Sequence, residues 1–210
     1  MSERLALITG GICGILMVLL GFGGVTFASG TRVGEYVLML STAPGLWQTV
    51  VLYKFLTRRE RGLGALAMLY LVGSVIGGTL FAISANHGWL AARLTGSPST
   101  LAALNDLDLY WNLISNFPGS AGTAALGLSI LVSAALPRWI GILAVLLGFG
   151  GLLLTLPLIV DSSVFSDQGP VFIAFQLVNV VWLLSLSVAM VLKGRSLASS
   201  RDQVKEPKTA

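Results

Sequence analysis

The chain has 210 residues, of which 55% are hydrophobic and only 10% are charged, and its formal net charge is +4. Because soluble domains carry about 25% charged residues, this composition excludes an ordinary soluble domain and predicts an all-α membrane protein whose surroundings are a lipid bilayer. The basic residues are confined to loops and the tail, which indicates an orientation signal and no nucleic-acid partner.

Six segments are apolar enough to cross a membrane. A helix needs about 20 apolar residues to cross the hydrocarbon core, and it satisfies its own backbone hydrogen bonds there. We predict a six-transmembrane-helix bundle forming a single polytopic domain over residues 1–195, followed by a disordered cytoplasmic tail over residues 196–210. The predicted spans are residues 5–28, 35–56, 63–86, 119–137, 139–160 and 170–192.

The first segment has a second interpretation. One arginine, an apolar stretch and Thr26-Phe27-Ala28 are similar to a secretory signal with a small-residue cleavage site. The apolar core of such signals usually has roughly 7–15 residues, whereas this stretch is longer and rich in glycine. We therefore expect residues 1–28 to be a retained helix, with a cleaved signal as the alternative.

The second segment contains Pro44-Gly45, and its uncharged run, residues 36–53, has only 18 residues. It either spans the membrane or re-enters the side from which it came. Proline is tolerated in membrane helices, and the Lys54 side chain can extend its ammonium group to the headgroups. A re-entrant loop would invert everything that follows and place basic segments on both sides of the membrane. The charge distribution therefore favours a span.

Positive charge gives the bundle an orientation. With six spans and the N-terminus in the cytoplasm, eleven of the thirteen Lys and Arg residues lie on the cytoplasmic side, and only Arg32 and Arg93 lie outside. This is the positive-inside pattern of a multi-pass protein of the cytoplasmic (inner) membrane with both termini in the cytoplasm. The cytoplasmic basic residues are Arg4, Lys54, Arg58, Arg59, Arg61, Arg138, Lys193, Arg195, Arg201, Lys205 and Lys208.

The outer stretch between the third and fourth spans is longer than a connector needs. Ser97-Pro98-Ser99-Thr100 provides a turn and a helix N-cap, and the apolar residues after it recur at spacings of three and four. We predict an amphipathic helix that lies in the outer interface and is separated from the fourth span at Asn116-Phe117-Pro118-Gly119. It either covers the outer end of the bundle or gates a path for a substrate.

Stripes of glycine predict the helix faces that pack. Helices in lipid associate through close packing, and small residues allow the closest approach. Residues 14–24 match residues 141–151 at ten of eleven positions, which is either a parallel duplication or coincidence within the small alphabet of membrane helices. The predicted packing residues are Gly14, Gly21, Gly24, Gly73, Gly77, Gly141, Gly148 and Gly151.

No motif in the sequence indicates catalysis. The chain has one histidine, His87, and one cysteine, Cys13, which excludes a bis-histidine haem site and a cysteine-ligated zinc site within one chain. It contains neither a Gly-x-Ser-x-Gly elbow nor a nucleotide-binding glycine motif. We predict no catalytic, cofactor-binding or metal-binding residues and expect an accessory or scaffold protein. A membrane-embedded enzyme that takes its cofactor from another chain stays open.

Uncharged polar residues near mid-depth are the remaining clue to function. Tryptophan ordinarily prefers the interface, yet two tryptophans lie near the middle of predicted spans. These residues either form hydrogen bonds between helices or line a pocket for a lipid-like or quinone-like molecule, as in a transporter or binder of a neutral solute. The candidate pocket residues are Pro44, Trp47, Gln48, Gln176, Asn179 and Trp182.

Two motifs in the second half of the chain occur in a fixed order. Leu136-Pro137-Arg138-Trp139-Ile140-Gly141 precedes a glycine-rich helix, and Val181-Trp182-Leu183-Leu184 precedes a basic tail. Over residues 119–195 this order resembles a bacterial family of six-helix integral membrane proteins of unknown function. The resemblance implies six spans in a bacterial cell membrane and no catalytic residues. Other membrane subunits or further copies of this chain are the protein partners expected of a scaffold.

Overall fold

The computed structural model describes residues 1–28, 31–59, 61–91, 97–155 and 170–205 of the chain. This part of the chain is all-helical and contains no strand, which confirms the predicted all-α class. It consists of α1 (Glu3–Ala28), α2 (Arg32–Arg59), a 3₁₀ turn (Arg61–Leu63), α3 (Gly64–Ala91), α4 (Pro98–Ser133), α5 (Arg138–Leu153) and α6 (Pro170–Lys205).

Three helices are long and apolar enough to cross a membrane. Their candidate spans are Glu3–Gly24 in α1, Gly64–Asn86 in α3 and Pro170–Leu197 in α6, while α5 is apolar but has only 16 residues. No more than 28% of the most apolar stretch of each long helix is buried within the bundle. Most of their apolar side chains therefore face outward, which suits lipid and not water. These helices indicate a membrane protein.

The six α-helices, α1 to α6, form a closed ring in which neighbouring helices run antiparallel. Gly10 of α1 lies beside Val51 of α2, whereas Gly24 lies beside Leu38, so the two helices run in opposite directions. The same alternation holds from α2 to α6, and α6 returns to pack along α1. The junction between α5 and α6 is the least extensive of the six.

Glycines of α3 and α5 bring both helices into backbone contact with α4. A β-carbon added at Gly77 would lie 3.0 Å from the backbone nitrogen of Gly119, and one added at Gly148 would lie 2.6 Å from that of Ala124. Real β-carbons are rarely found this close to backbone atoms, so glycine is what permits these helix approaches. Gly73, Gly141 and Gly151 also contact α4.

The three predicted packing glycines of α1 differ in their surroundings. Gly14 and Gly24 lie at close helix contacts, and a β-carbon added at Gly24 would lie 2.9 Å from Cγ of Leu38. At Gly21 the nearest atom to an added β-carbon is Oγ of Ser41, 3.9 Å away. The sequence predicts Gly21 on the same packing face of α1 as Gly14. In the structure Gly21 lines a cavity and lies at no close helix contact.

α4 differs from the prediction because it is one helix of 36 residues. Oγ of Ser97 accepts a hydrogen bond of 3.4 Å from the backbone nitrogen of Thr100, and the helix then runs through Pro118 without a break. The predicted separation of an interfacial helix from a span beginning at residue 119 is therefore wrong. A proline removes one hydrogen-bond donor, and the close packing of Gly73 of α3 against this stretch favours the continuous helix.

Several helix ends also differ from the predicted boundaries. α2 continues through Pro44 as one helix from Arg32 to Arg59. α4 ends at Ser133, before Ala134 in a left-handed conformation with φ of 47°. α5 ends at Leu153, and the predicted end of that span at residue 160 lies outside the described residues.

The predicted disordered tail begins within a helix. α6 continues to Lys205, past residue 196, and its last turns are rich in residues with good helix propensity such as Ala, Arg, Gln and Lys. Residues 206–210 of the predicted tail lie outside the described residues.

Charged residues mark the end of the bundle at which α1 begins. The guanidinium group of Arg59 lies 3.8 Å from the carboxylate of Glu3 and 4.9 Å from the ring centre of Phe55. A β-carbon added at Gly194 would lie 3.0 Å from the carbonyl oxygen of Arg4, which brings the basic part of α6 to the same end. The other basic positions at this end are Lys54, Arg58, Arg61, Arg138, Lys193 and Arg195. We call it the basic end.

Candidate functional site

A cavity of about 830 Å³ lies between the six α-helices, and each of them contributes to its lining. The lining residues come mainly from the half of the bundle away from the basic end. In α1 they run from Met17 to Phe22, and in α3 from Tyr70 to Phe81. Protein cavities that hold small organic ligands have volumes of roughly 300–1,000 Å³. This cavity is therefore large enough for a small molecule or for part of a lipid.

An apolar core closes the cavity toward the basic end. The largest fully buried side chains between the cavity and that end include Leu52, Leu56, Ile130, Ile140 and Met190. They belong to four different helices and pack into one cluster. A molecule in the cavity is thus separated from the basic end by packed side chains.

Trp182 joins α5 to α6 at the base of the cavity. Its side chain is 3% exposed, and its indole Nε1 donates a hydrogen bond of 3.0 Å to the carbonyl oxygen of Ile140. The same side chain lines the cavity. This candidate residue therefore links two helices and also lies on the cavity wall.

Gln48 has a similar double position on α2. It is 3% exposed, and its Nε2 donates a hydrogen bond of 2.9 Å to Oγ of Ser187 and lies 3.7 Å from Sδ of Met190. Because Gly14 of α1 has no side chain, the amide can pass α1 and reach α6. Gln48 therefore ties three helices together and also lines the cavity.

Pro44 and Trp47 do not line the cavity. Trp47 is 41% exposed, and its Nε1 donates a hydrogen bond of 3.4 Å to Oγ1 of Thr9. It lines a separate groove of about 200 Å³ between α1 and α2. Successive residues of an α-helix point about 100° apart, so Trp47 and Gln48 face different surroundings although they are neighbours in sequence.

α6 places Gln176 and Asn179 on the cavity wall. Both side chains are half-buried, and neither forms a hydrogen bond with another residue of the described ranges. The structure thus brings four of the six candidate residues to one cavity, with Gln48 and Trp182 nearer its base.

Asn116 of α4 is a cavity residue that the sequence did not single out. Its Nδ2 atom is buried and has no hydrogen-bond partner among the described residues. The sequence alone suggests a break between two helices at this position. The signal that identifies it is the spacing of polar and small residues along this part of α4, which places them on one helix face. These residues are Ser115, Asn116, Gly119, Ser120 and Thr123.

Several hydroxyl groups of the lining already use their protons. Those of Ser41, Thr42, Thr49 and Thr123 donate to carbonyl oxygens of their own helices. The hydroxyl of Tyr70 donates to Oγ1 of Thr49 at 3.3 Å. Such oxygens retain only the capacity to accept hydrogen bonds. Among the described lining residues, the side-chain N–H donors that lack a protein acceptor are therefore the carboxamides on α4 and α6.

None of the described lining residues is charged. Burying a charge without a partner is very costly, so this lining suits a neutral molecule and disfavours an ion. Aromatic rings line the part of the cavity away from its base and provide apolar contact area. They are Phe22, Phe81, Phe172 and Phe175.

No known protein family, no curated protein and no solved structure matches this chain. The likeness carried by residues 136–141 therefore stays a prediction. In the structure this turn precedes α5: Pro137 is followed by the exposed Arg138 and Trp139, and Ile140 and Gly141 are buried.

Proposed function

We propose that this chain is a six-span protein of the bacterial cytoplasmic membrane that binds an uncharged amphipathic molecule, lipid-like or quinone-like, in its central cavity. The observation that carries the proposal is an uncharged cavity of about 830 Å³ lined by all six long helices. Sites for small molecules are concave and mostly apolar spaces of roughly this size, with a few polar groups in the lining. A scaffold, the role first expected from the sequence, needs only a filled interior, so the cavity favours a binding protein.

Three features support six spans with both termini in the cytoplasm. The helices alternate in direction around the ring, and α2 and α4, which are not among the three most apolar candidate spans, have 28 and 36 residues and are long enough to cross. The basic residues gather at one end of the bundle, as the positive-inside rule requires of a cytoplasmic side. The likeness of residues 119–195 to a bacterial six-helix family agrees with this arrangement.

Cysteine labelling tests the proposed topology. In a Cys13→Ala background we introduce single cysteines at three exposed positions, Gly62, Ser99 and Ser196. A membrane-impermeant maleimide applied to intact cells is expected to label position 99 alone. Positions 62 and 196 should react only in inverted vesicles. Labelling of positions 62 and 196 from opposite faces would contradict the six-span topology.

A cavity-filling variant tests the binding function. Gly78 lines the cavity, and the nearest atom to an added β-carbon is Cδ2 of Leu46 at 4.0 Å, so the side chain of Gly78→Leu has room where it leaves the backbone and is expected to extend into the cavity. Mass spectrometry of the purified wild-type protein is expected to find a near-stoichiometric neutral amphiphile. Gly78→Leu should lower its occupancy at least roughly tenfold, which corresponds to about 1.4 kcal/mol of binding free energy.

The control is Gly23→Leu, the same substitution on α1 at a position with no atom within 4 Å of an added β-carbon and outside the cavity lining. It should retain the amphiphile at the wild-type level. A wild-type protein that purifies empty, or a Gly78→Leu variant as fully occupied as Gly23→Leu, would refute the binding function.

A further inference from the structure

The groove between α1 and α2 lies apart from the cavity and combines apolar walls with positive charge. It has a volume of about 200 Å³ and extends from Trp47 to the basic end, where Lys54 and Arg58 lie on its wall. Helix residues spaced by three and four lie on one face, so α2 contributes a single stripe to the groove. That stripe consists of Trp47, Val50, Val51, Lys54, Phe55 and Arg58, and the other lining residues are Met1, Glu3, Ala6 and Leu7.

The two cations of the groove have no anionic partner within the described part of the chain. Lys54 and Arg58 are exposed, and neither forms an ion pair with another described residue. The one acidic side chain of the described lining is Glu3, whose carboxylate lies 3.8 Å from the guanidinium group of Arg59. Because Arg59 offsets the charge of Glu3, the groove keeps an excess of positive charge at the basic end. An anionic group bound there would contact two cations.

The rest of the groove suits a hydrocarbon chain. An α-helix rises 1.5 Å per residue, so Trp47 lies about 10 Å along the axis from Lys54. The headgroup layer on each side of a bilayer is only roughly 5–8 Å thick, so an indole this far below a headgroup contact lies beside acyl chains. The indole is 41% exposed, and its Nε1 already donates a hydrogen bond to Thr9 of α1. The aliphatic lining between the indole and the cations consists of Ala6, Leu7, Val50 and Val51.

We propose that the groove binds one anionic phospholipid of the leaflet at the basic end, with its phosphate between Lys54 and Arg58 and an acyl chain along Trp47. Basic pockets between membrane helices bind anionic headgroups in this way. The positive-inside pattern explains why cations gather at this end, but it does not require two of them to lie at the mouth of an apolar groove.

This inference goes beyond the proposed function, because the groove and the cavity are lined by different residues. The phospholipid is a second ligand and not the molecule held in the cavity. The two proposals share only the placement of the basic end at a membrane surface.

The experiment measures which lipids contact Trp47. The full chain is reconstituted into dioleoylphosphatidylcholine vesicles that contain increasing fractions of a lipid with brominated acyl chains, which quench the fluorescence of nearby tryptophans. The brominated lipid is either phosphatidylglycerol, which is anionic, or phosphatidylcholine, which has no net charge. The contribution of Trp47 is the difference between each protein and the same protein carrying Trp47→Phe.

Lys54→Gln/Arg58→Gln removes both cations of the groove. The matched control is Lys193→Gln/Arg195→Gln, which removes one lysine and one arginine from α6 at the same end but outside the groove. We expect half-maximal quenching of Trp47 in the wild type at a roughly 10- to 30-fold lower fraction of brominated phosphatidylglycerol than of brominated phosphatidylcholine, because each basic residue near a membrane surface contributes about fivefold to anionic lipid binding. The groove variant should lose this preference, and the control should keep it.

Competition with inorganic phosphate separates a lipid site from a site for a free anion. Unlabelled phosphatidylglycerol should reverse the quenching, and excess inorganic phosphate should not. Reversal by inorganic phosphate, or equal quenching of Trp47 by both brominated lipids, would overturn the proposal. An equal loss of preference in the groove variant and the control would also overturn it, since the whole basic end would then attract anions without a defined site.

If Lys54→Gln/Arg58→Gln does not fold, Arg58→Gln is measured against Arg195→Gln. The groove variant should then lose about fivefold of the preference, and equal behaviour of the two single variants contradicts the site. None of these results bears on the binding function of the cavity, which is tested separately by Gly78→Leu.

Discussion

Replacing Gly148 with leucine is expected to lower the stability of the bundle sharply. The new side chain would begin 2.6 Å from both the backbone nitrogen and the β-carbon of Ala124, where α5 and α4 touch. Overpacking costs about 1–3 kcal/mol where neighbours can move, and here the obstacle is backbone. We expect the melting temperature in detergent to fall by roughly 5 °C or more.

The control for this variant is Gly23→Leu, which makes the same substitution at a position with open space around it. Thermal unfolding of both variants, followed by loss of the monodisperse peak in size-exclusion chromatography, measures the difference. Equal melting temperatures for the two variants would show that α5 does not pack against α4 through Gly148.

Replacing Trp182 with alanine should have a comparably large effect. Its indole is almost fully buried and links α6 to α5 through the hydrogen bond to the carbonyl of Ile140. Truncating a buried tryptophan costs about 3–5 kcal/mol, and the junction of α5 with α6 has few other contacts to compensate. Trp182→Phe keeps most of the volume and loses only the hydrogen bond, so it should cost about 1 kcal/mol.

The neighbouring residue provides the control, since Val181 is 62% exposed. Val181→Ala should leave the melting temperature nearly unchanged. From least to most stable, the three variants should rank in the order Trp182→Ala, Trp182→Phe and Val181→Ala. If Trp182→Ala and Val181→Ala have the same melting temperature, the contact of Trp182 with α5 does not stabilise the bundle.

The all-α class and the approximate positions of the helices followed from the sequence because long apolar runs permit little else. The helix boundaries were harder to predict from the sequence. At Pro118 the local signal favoured a break, but packing of α3 against α4 outweighs the loss of one hydrogen bond there. The end of α6 was missed for the opposite reason, since a polar composition suggested disorder where the helix continues to Lys205.

The candidate site was only partly predictable because apolar helices give few clues to their rotation. A polar residue within an apolar run marks a depth, and in this way the sequence identified Gln48, Gln176 and Asn179. It does not mark a direction, so Trp47 was grouped with them although it faces another groove. Asn116 was missed because its proximity to a proline suggested a loop, and only the continuous α4 turns it toward the cavity.

The position of the cavity within the bundle limits the routes by which a bound molecule can enter or leave it. Tightly packed aliphatic residues close one end of the cavity, so under the proposed function a bound molecule would not leave through that end in this conformation. Moving cargo to the opposite leaflet would require that seal to separate, at the cost of exposing some of the best-buried side chains in the protein. Under the proposed function, this conformation would hold or present a ligand and would not form a continuous path through the bundle.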